Sequence, residues 1–590
     1  MSITKLLQKA VLTSLHNIYQ SSFTDKDFQI NQTKPEFEGD YTIVLFALVK
    51  SLKMSPDEIG TALGEALVKE NEFITSYNII KGFLNLVVAD AYWLQLLEKN
   101  HQDVCYGKHP MNGKKVMVEY SSPNTNKPLH LGHLRNNFLG WSVAEILKAN
   151  GYEVLKSCIV NDRGIHICKS MIAWQLFANG ATPASTQQKG DHFVGDYYVK
   201  FNDEYKIQVA NLVAQGSTTA AAEKEAPIMQ QTQQMLQDWE AGKPSVMELW
   251  KKMNSWVYEG FDVTYKSIGS DFDKTYYESN TYLLGKDIVQ EGLDKAVFYK
   301  KPDGSVWIDL TSDGLDEKLV LRNDGTSVYI TQDIGLAKQK YDEFLIDQSI
   351  YVIGDEQNYH MKVLKLIAQK LGLPYANDIY HLSYGMVELP TGKMKSREGT
   401  VVDADDLVEE MIATAQQHTE ALGKVKDFTT QELEILYKTI GLGAMKFYLL
   451  RVDPKKKMIF NPEESIDFHG FTGPFVQYTY ARIQSIIRKI TERGSIDHQE
   501  ALLPLEKEVM FILEQFPSII ASAAEELNPS VVANYVFHLA KTFNSFYTEH
   551  SINNAETITK KHLRIQLAMM TANALQNGMQ LLGIEVPERM

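Results

Sequence analysis

The apolar and polar positions divide the chain into three textures. Residues 1–105 mix periods. Helix-like spacing over 4–20, 41–53 and 56–70 gives way to a strand-like run at Ile79–Val88 and a further short helix. From 115 onward strands and helices alternate. KVMVEYS is short, apolar and β-rich. LRNNFLGWSVAEILKANGYEV carries Leu134, Phe138, Trp141, Ala144, Ile146 and Leu147 at helical spacing and stops at Asn150-Gly151, and VLKSCIV is strand-like again. Strand, helix, strand in close succession is a βαβ unit, so a parallel sheet is expected. Helical text fills roughly 165–265, and part of it reads as an insertion into the sheet domain. Strand patterns resume at Ala296–Tyr299, Val306–Leu310, Ser327–Ile330, Ser349–Val352 and YGMVEL (384–389). Everything beyond about 430 is helical in pattern, and 471–590 reads as an all-helical bundle.

The expected division is 1–108, a small α+β unit; 109–405, an α/β sheet domain with an insertion at about 185–260; 406–470, a helical connector; and 471–590, the bundle. A chain of 590 residues is too long for one core, which agrees with several domains. Composition changes this picture little. No apolar run reaches the length of a membrane span, and the N-terminus reads as a domain's first helix rather than a targeting segment. Cys105, Cys158 and Cys168 show no CxxC spacing, so no zinc site or disulfide framework is expected and a reducing cytoplasm is the natural setting. The formal net charge of −15 argues against coating nucleic acid wholesale, but a local basic face can still bind phosphates.

The candidate chemistry sits where the first strand of the alternating region hands over to its helix, in SSPNTNKPLHLGHLRNN (121–137). A glycine-containing turn that opens a helix after a parallel strand points backbone N–H groups and a favourable dipole at an anion. Gly132 permits close approach to the backbone, and His130 and His133 can donate to phosphate oxygens. The competing reading is a pair of helix-terminal caps. A second element, TGKMKSREGT (391–400), is a glycine-bounded basic loop with Lys393, Lys395 and Arg397. It suits closure over a triphosphate, or is simply an exposed charged turn.

The two elements together resemble the paired signatures of class I aminoacyl-tRNA synthetases. VEYSSPNTNKPLHLGHLR, NDRGIHICKSM, YYES, YITQD, GDEQNYH, VQYTYARI and the final LGIEVPERM, in that order, resemble the arginyl-tRNA synthetase family. The resemblance implies a Rossmann-like catalytic domain, a helical anticodon-binding bundle, and an N-terminal domain that approaches the corner of the tRNA, where IIKGFLN departs from the family's glycine-proline-glycine version. It implies arginine, ATP and tRNA(Arg) as substrates, with Mg2+ carried by ATP, no membrane or DNA partner, and a monomer.

Residue by residue, the resemblance assigns ATP to His130, Gly132, His133, Met386, Lys393, Met394 and Ser396, and the substrate guanidinium to Glu278, Tyr329 and Asp333. It assigns the α-amino group to Asn124, Gln357 and Glu119. Tyr329 and Asp333 share one face if YITQD enters a helix. Tyr480, Arg482, Lys489 and Arg493 are the expected RNA contacts on the bundle's first helix. The class loop is Lys-Met-Ser-Lys-Ser, whereas here it is Lys393-Met394-Lys395-Ser396-Arg397. The family's substitute for the missing lysine falls on Lys127, with Lys395 the alternative. Two other readings stay open: a small-molecule nucleotidyltransferase of the same superfamily, and an inert RNA-binding relative.

Overall fold

In the computed structural model, residues 2–34, 36–390, 402–421, 423, 427–490 and 494–590 are described. Lys393, Met394, Lys395, Ser396, Arg397 and Arg493 lie outside them.

Five parallel strands form the central sheet: β1 (Lys115–Glu119), β2 (Glu153–Val160), β3 (Lys274–Tyr277), β4 (Gln348–Gly354) and β5 (Ile379–Tyr384). Their spatial order is β5-β4-β1-β2-β3. Chain order therefore reverses between β1 and β4, where Tyr351 pairs with Glu119. Such a switch point opens a crevice at the carboxyl ends of the two strands. Val116, Val118 and Ile350 are fully or almost fully buried, as strands covered on both faces require.

The helices that matter for the crevice are α1 (Leu131–Ala149), α2 (Gly190–Ala214), α3 (Pro244–Ile268), α4 (Glu278–Thr281), α5 (Tyr329–Phe344), α6 (Asn358–Lys370) and α7 (Ala404–Ala421). The first follows β1, the fourth follows β3 and the sixth follows β4, so three helix starts face the same edge of the sheet. Among the described residues, no helix is long and apolar enough to cross a membrane.

The N-terminal unit differs from the sequence reading. Tyr41–Val44 is a strand paired with Gln29–Gln32 and Phe83–Val88, and the helix begins only at Phe46. Thr42, Ile43 and Val44 are β-branched, and pairing on both sides overrides the helical spacing. The expected strand over 79–88 is a hairpin, Ile74–Ile80 with Phe83–Val88. Lys81 and Gly82 turn it with φ of 50° and 83°, the paired positive values of a tight hairpin turn. Ser327–Ile330 is not a strand, because Tyr329 already opens α5. A separate three-stranded sheet, Tyr299–Lys300, Val306–Ile308 and Lys318–Leu321, precedes it.

The C-terminal region is helical as expected: Gly473–Arg488, Pro504–Glu526, Pro529–Glu549 and Ile558–Leu581. It is stitched to the rest by buried side chains. Ser142 on α1 donates to the carbonyl of Leu581 at 2.7 Å, and the backbone N–H of Ile3 donates to Glu514 at 2.7 Å.

Candidate active site

The turn after β1 is held in an unusual conformation. Ser121 has φ of 58°, a left-handed value that costs a residue with a Cβ about 1 kcal/mol or more. The surroundings leave it no choice. Its N–H donates to Asn136 Oδ1 at 2.6 Å, its hydroxyl meets Tyr265 at 2.7 Å, and Asn137 donates to that hydroxyl at 3.1 Å. Asn136 also donates to the carbonyl of Val352 at 2.7 Å, which ties α1 to β4 across the switch point. Asn136 and Asn137 were missed by the sequence reading. Two buried asparagines inside an apolar helical run, where Asn is unfavourable, were the available signal.

His130 and His133 meet at the first turn of α1, ring centroids 3.9 Å apart. His130 Nδ1 accepts from Gly132 N–H at 3.2 Å, and His133 Nδ1 accepts from His130 N–H at 3.1 Å. Both are thus caps, yet capping does not exclude the phosphate role. Each Nδ1 is spent as an acceptor, so the proton of each neutral ring sits on Nε2. Burial pushes His130 down to about 3, helped by nearby Lys127, and burial also pushes His133 well below the ordinary imidazole value. The pair is therefore two neutral N–H donors, not two cations. At Gly132 a Cβ would come within 3.0 Å of the His130 ring, so glycine protects the cap itself.

Lys127 and His130 line a cavity of about 230 Å³. Burial lowers the Lys127 pKa. The other walls include Gln188, His192, Asp196 and Asp403, the first three from the insertion. The insertion therefore does more than pack as helices. Arg135, buried to 2% exposure, donates to the carbonyls of Met386 (3.1 Å), Pro454 (3.3 Å) and Lys456 (2.8 Å). It fixes Met386 just ahead of the basic loop. The Lys455–Lys457 segment serves this framework through its backbone.

At the other end of the crevice stand the carboxylates. Glu278 opens α4, which is anchored by Asp162: Ser279 N–H donates to it at 2.8 Å and Ser279 Oγ at 2.6 Å. Burial raises Glu278 to about 7, opposed by Arg163, while Asp162 and Asp333 push the same way as burial. Arg163 lies 4.0 Å over the Tyr282 ring and 3.1 Å from Glu240. Asp333 and Tyr329 do share a face of α5, as the four-residue spacing predicts. Asp333 meets His360 Nε2 at 2.5 Å, and this contact raises the His360 pKa. Tyr329 is 75% exposed. The pocket as it stands is therefore open to water, and His360 already answers one carboxylate.

Asn124 and Gln357 are exposed at the ends of β1 and β4. Glu119 is different. It is 5% exposed and lies 2.5 Å from Lys340 Nζ, itself fully buried, so its charge is already matched from within the fold.

In the bundle, Arg482, Lys489, Arg488, Arg589, Tyr478 and Tyr547 share a cavity of about 370 Å³. Arg482 donates to Asn544 at 2.7 Å and lies 4.9 Å over the Tyr478 ring. Tyr480 is a correction: at 4% exposure it packs into the core, facing away from solvent, and Tyr478 is the aromatic on the basic face.

A parallel sheet with a switch-point crevice, an HxGH helix start and a helical bundle define the class I tRNA synthetases. The family model described as tRNA synthetases class I (R), catalytic domain, matches residues 95–461. Models of the arginyl tRNA synthetase N terminal domain and the DALR anticodon binding domain match 5–88 and 476–590. The chain is 53% identical to an arginine–tRNA ligase of Flavobacterium psychrophilum and 51% identical to one of Bacteroides thetaiotaomicron, each over 100% of both chains. Among solved structures, Thermus thermophilus arginyl-tRNA synthetase superposes with a TM-score of 0.79 at 24% identity, and the Plasmodium falciparum enzyme with 0.75 at 18%. Each likeness covers 100% of this chain and at least 99% of the other, and supports the fold. The chain belongs to the arginyl-tRNA synthetase family.

Proposed function

We propose that the crevice activates L-arginine with ATP and passes it to tRNA(Arg). The observation that carries this reading is the opposition of two ends on one sheet edge: neutral N–H donors at a helix start after β1, and carboxylates after β3 and on α5. The first suits phosphate, the second a guanidinium, whose planar donors pair with carboxylates as lysine's ammonium cannot.

In the first step the arginine carboxylate attacks the α-phosphorus of ATP in line, and pyrophosphate leaves. His130 and His133 donate from Nε2 to oxygens that gain charge in the transition state, and the α1 dipole adds to them. Glu278 and Asp333 grip the guanidinium, Tyr329 closes over it, and Asn124 and Gln357 hold the α-amino group. In the second step the terminal ribose hydroxyl of the tRNA attacks the activated carbonyl and AMP leaves. Positioning and charge stabilisation carry both steps. Glu119 supports the amino-group site through its pair with Lys340. In the bundle, the basic, aromatic cavity receives RNA backbone and splayed bases, and the protein works in the cytoplasm.

Among the described residues, one cluster of possible metal ligands is close enough to act together: Asp191, His192 and Asp405. Lys189 Nζ stands 3.0 Å from Asp191 and 2.5 Å from Asp405, so the cluster is already answered by cations and does not fit a resident metal. Mg2+ arrives on the phosphates of ATP.

The test is pyrophosphate exchange with arginine, run with and without tRNA(Arg), since the family resemblance implies that tRNA is required. Exchange that depends on arginine and tRNA supports the reading. Exchange with another acid and no tRNA favours a small-molecule nucleotidyltransferase.

A further inference from the structure

The Lys189/His192 cluster does not belong to the set of residues that the family resemblance singled out, yet it meets the His130 turn through Asp403. Asp403 and His130 lie opposite each other in a short antiparallel backbone bridge. Ala404 N–H donates to Leu129 at 3.0 Å, and Leu131 N–H donates to Val402 at 3.2 Å. The residues flanking His130 are thereby hydrogen-bonded to the residues that start α7. What fixes α7 also fixes His130.

Five side chains fix it. Asp403 splits its oxygens: Oδ1 caps α7 by accepting from Asp405 N–H at 2.8 Å, and Oδ2 faces His192 Nε2 at 3.3 Å. Asp405 accepts from His192 at 3.1 Å, from Lys189 at 2.5 Å and from Thr264 of α3 at 2.9 Å. Lys189 and His192 stand at the start of α2, so the insertion contributes both cations, with buried Asp191 3.0 Å from Lys189, and the start of α7 contributes the two facing carboxylates. The two carboxylates push His192 up to about 10, so its ring is charged at neutral pH. His192 also lines the cavity that Lys127 and His130 line.

We infer that His192 is a positioning residue for adenylate formation: its contacts to Asp403 and Asp405 tie the insertion to α7 and so hold the His130 turn in register beneath the phosphates. This rests on the proposed activity above. A bare surface ion pair would contribute little. Here the pair lies between elements that both border the cavity, and a displacement of about 1 Å in a reacting group can cost roughly a hundredfold in rate.

The experiment uses the full chain with arginine, ATP and tRNA(Arg), and compares wild type with His192→Ala, His192→Gln and His192→Lys in pyrophosphate exchange. His192→Ala should lower kcat on the order of 10- to 100-fold while KM for arginine stays within about twofold, because the arginine pocket stands on other elements. His192→Lys, which restores a cation, should recover most of kcat, and His192→Gln, which restores only a donor, should recover less. Wild-type kcat in His192→Ala overturns the inference, as does a His192→Lys enzyme no better than His192→Ala. Should His192→Ala fail to fold, the ranking of His192→Lys above His192→Gln decides alone. A wild-type chain without arginine-dependent exchange overturns the underlying activity instead, so the two failures are distinguishable.

Discussion

The two ends of the crevice are built from the same part, a helix start beside a strand end, and they are electrostatic opposites. At the phosphate end, His130 and His133 keep both rings neutral and turn their inner nitrogens to the backbone. Each residue caps the helix and leaves one donor over, so little reorganises when a phosphate arrives. At the arginine end, Glu278 is half-buried with its pKa raised to about 7, and Asp333 leans on His360. That end is unfinished without a cation. A binding energy that pairs a waiting carboxylate is large and titratable, whereas a preformed neutral donor pair is indifferent to pH near neutrality.

The sharpest way to break this contrast is to neutralise the arginine end. Asp333→Asn removes a full charge from a guanidinium pair while keeping its shape. Losing one partner of such a pair costs about 2–5 kcal/mol, so kcat/KM for arginine should fall about 30- to several-thousandfold at nearly constant KM for ATP. Steady-state exchange at varied arginine measures it, and an unchanged KM for arginine would remove Asp333 from the pocket.

The phosphate end should fail differently. His133→Ala deletes a donor and a cap. Loss of one transition-state donor costs about 10²–10³ in rate, while the lost cap costs about 1 kcal/mol of stability. The signature is a fall in kcat with KM for arginine preserved and a small drop in Tm. A loss confined to Tm would reduce the two histidines to caps.

pH then separates the ends without mutation. Glu278 sits above its ordinary value, so the free site holds a proton below about 7, and that proton must leave before the guanidinium binds. His360 gains charge on the same side and repels the substrate. KM for arginine should therefore fall about tenfold as pH rises from about 6 to 8, and Glu278→Gln should flatten most of that change. His130, at about 3, stays a neutral N–H donor throughout that range, so KM for ATP should stay level. Stability at that end does respond to pH: the unfolded histidine takes up a proton below about 6.5 and the folded one does not, so stability is lost as pH falls through that value.

How much of this was legible follows the same divide. Periodicity placed the β1 strand, its helix and the bundle, because burial on one face writes itself into spacing. It misread Tyr41–Val44 and Ser327–Ile330, where partners distant in sequence decide the backbone. The motif residues at the crevice were readable as a set through the family resemblance. Their supports were not: Arg135 holds three carbonyls that lie some 250 or more positions away, and His192 acts from an insertion whose text reads only as amphipathic helix. Tyr480 was misassigned although its spacing puts it on the apolar stripe of Ile483, the face that the bundle covers.

The finest test asks whether the phosphate end is truly without a working cation. Lys127 lies beside His130 on the cavity wall, and among the described residues no ion pair holds it. A lysine left uncompensated in a half-buried wall is costly unless an anion visits it. If Lys127 supplies the charge that the basic loop lacks, Lys127→Ala should slow single-turnover adenylate formation about tenfold, and Lys395→Ala should slow it less. A Lys127→Ala enzyme as fast as wild type would leave the histidines, the helix dipole and the basic loop as the whole of the phosphate site. The contrast with the charged arginine end would then be complete rather than partial.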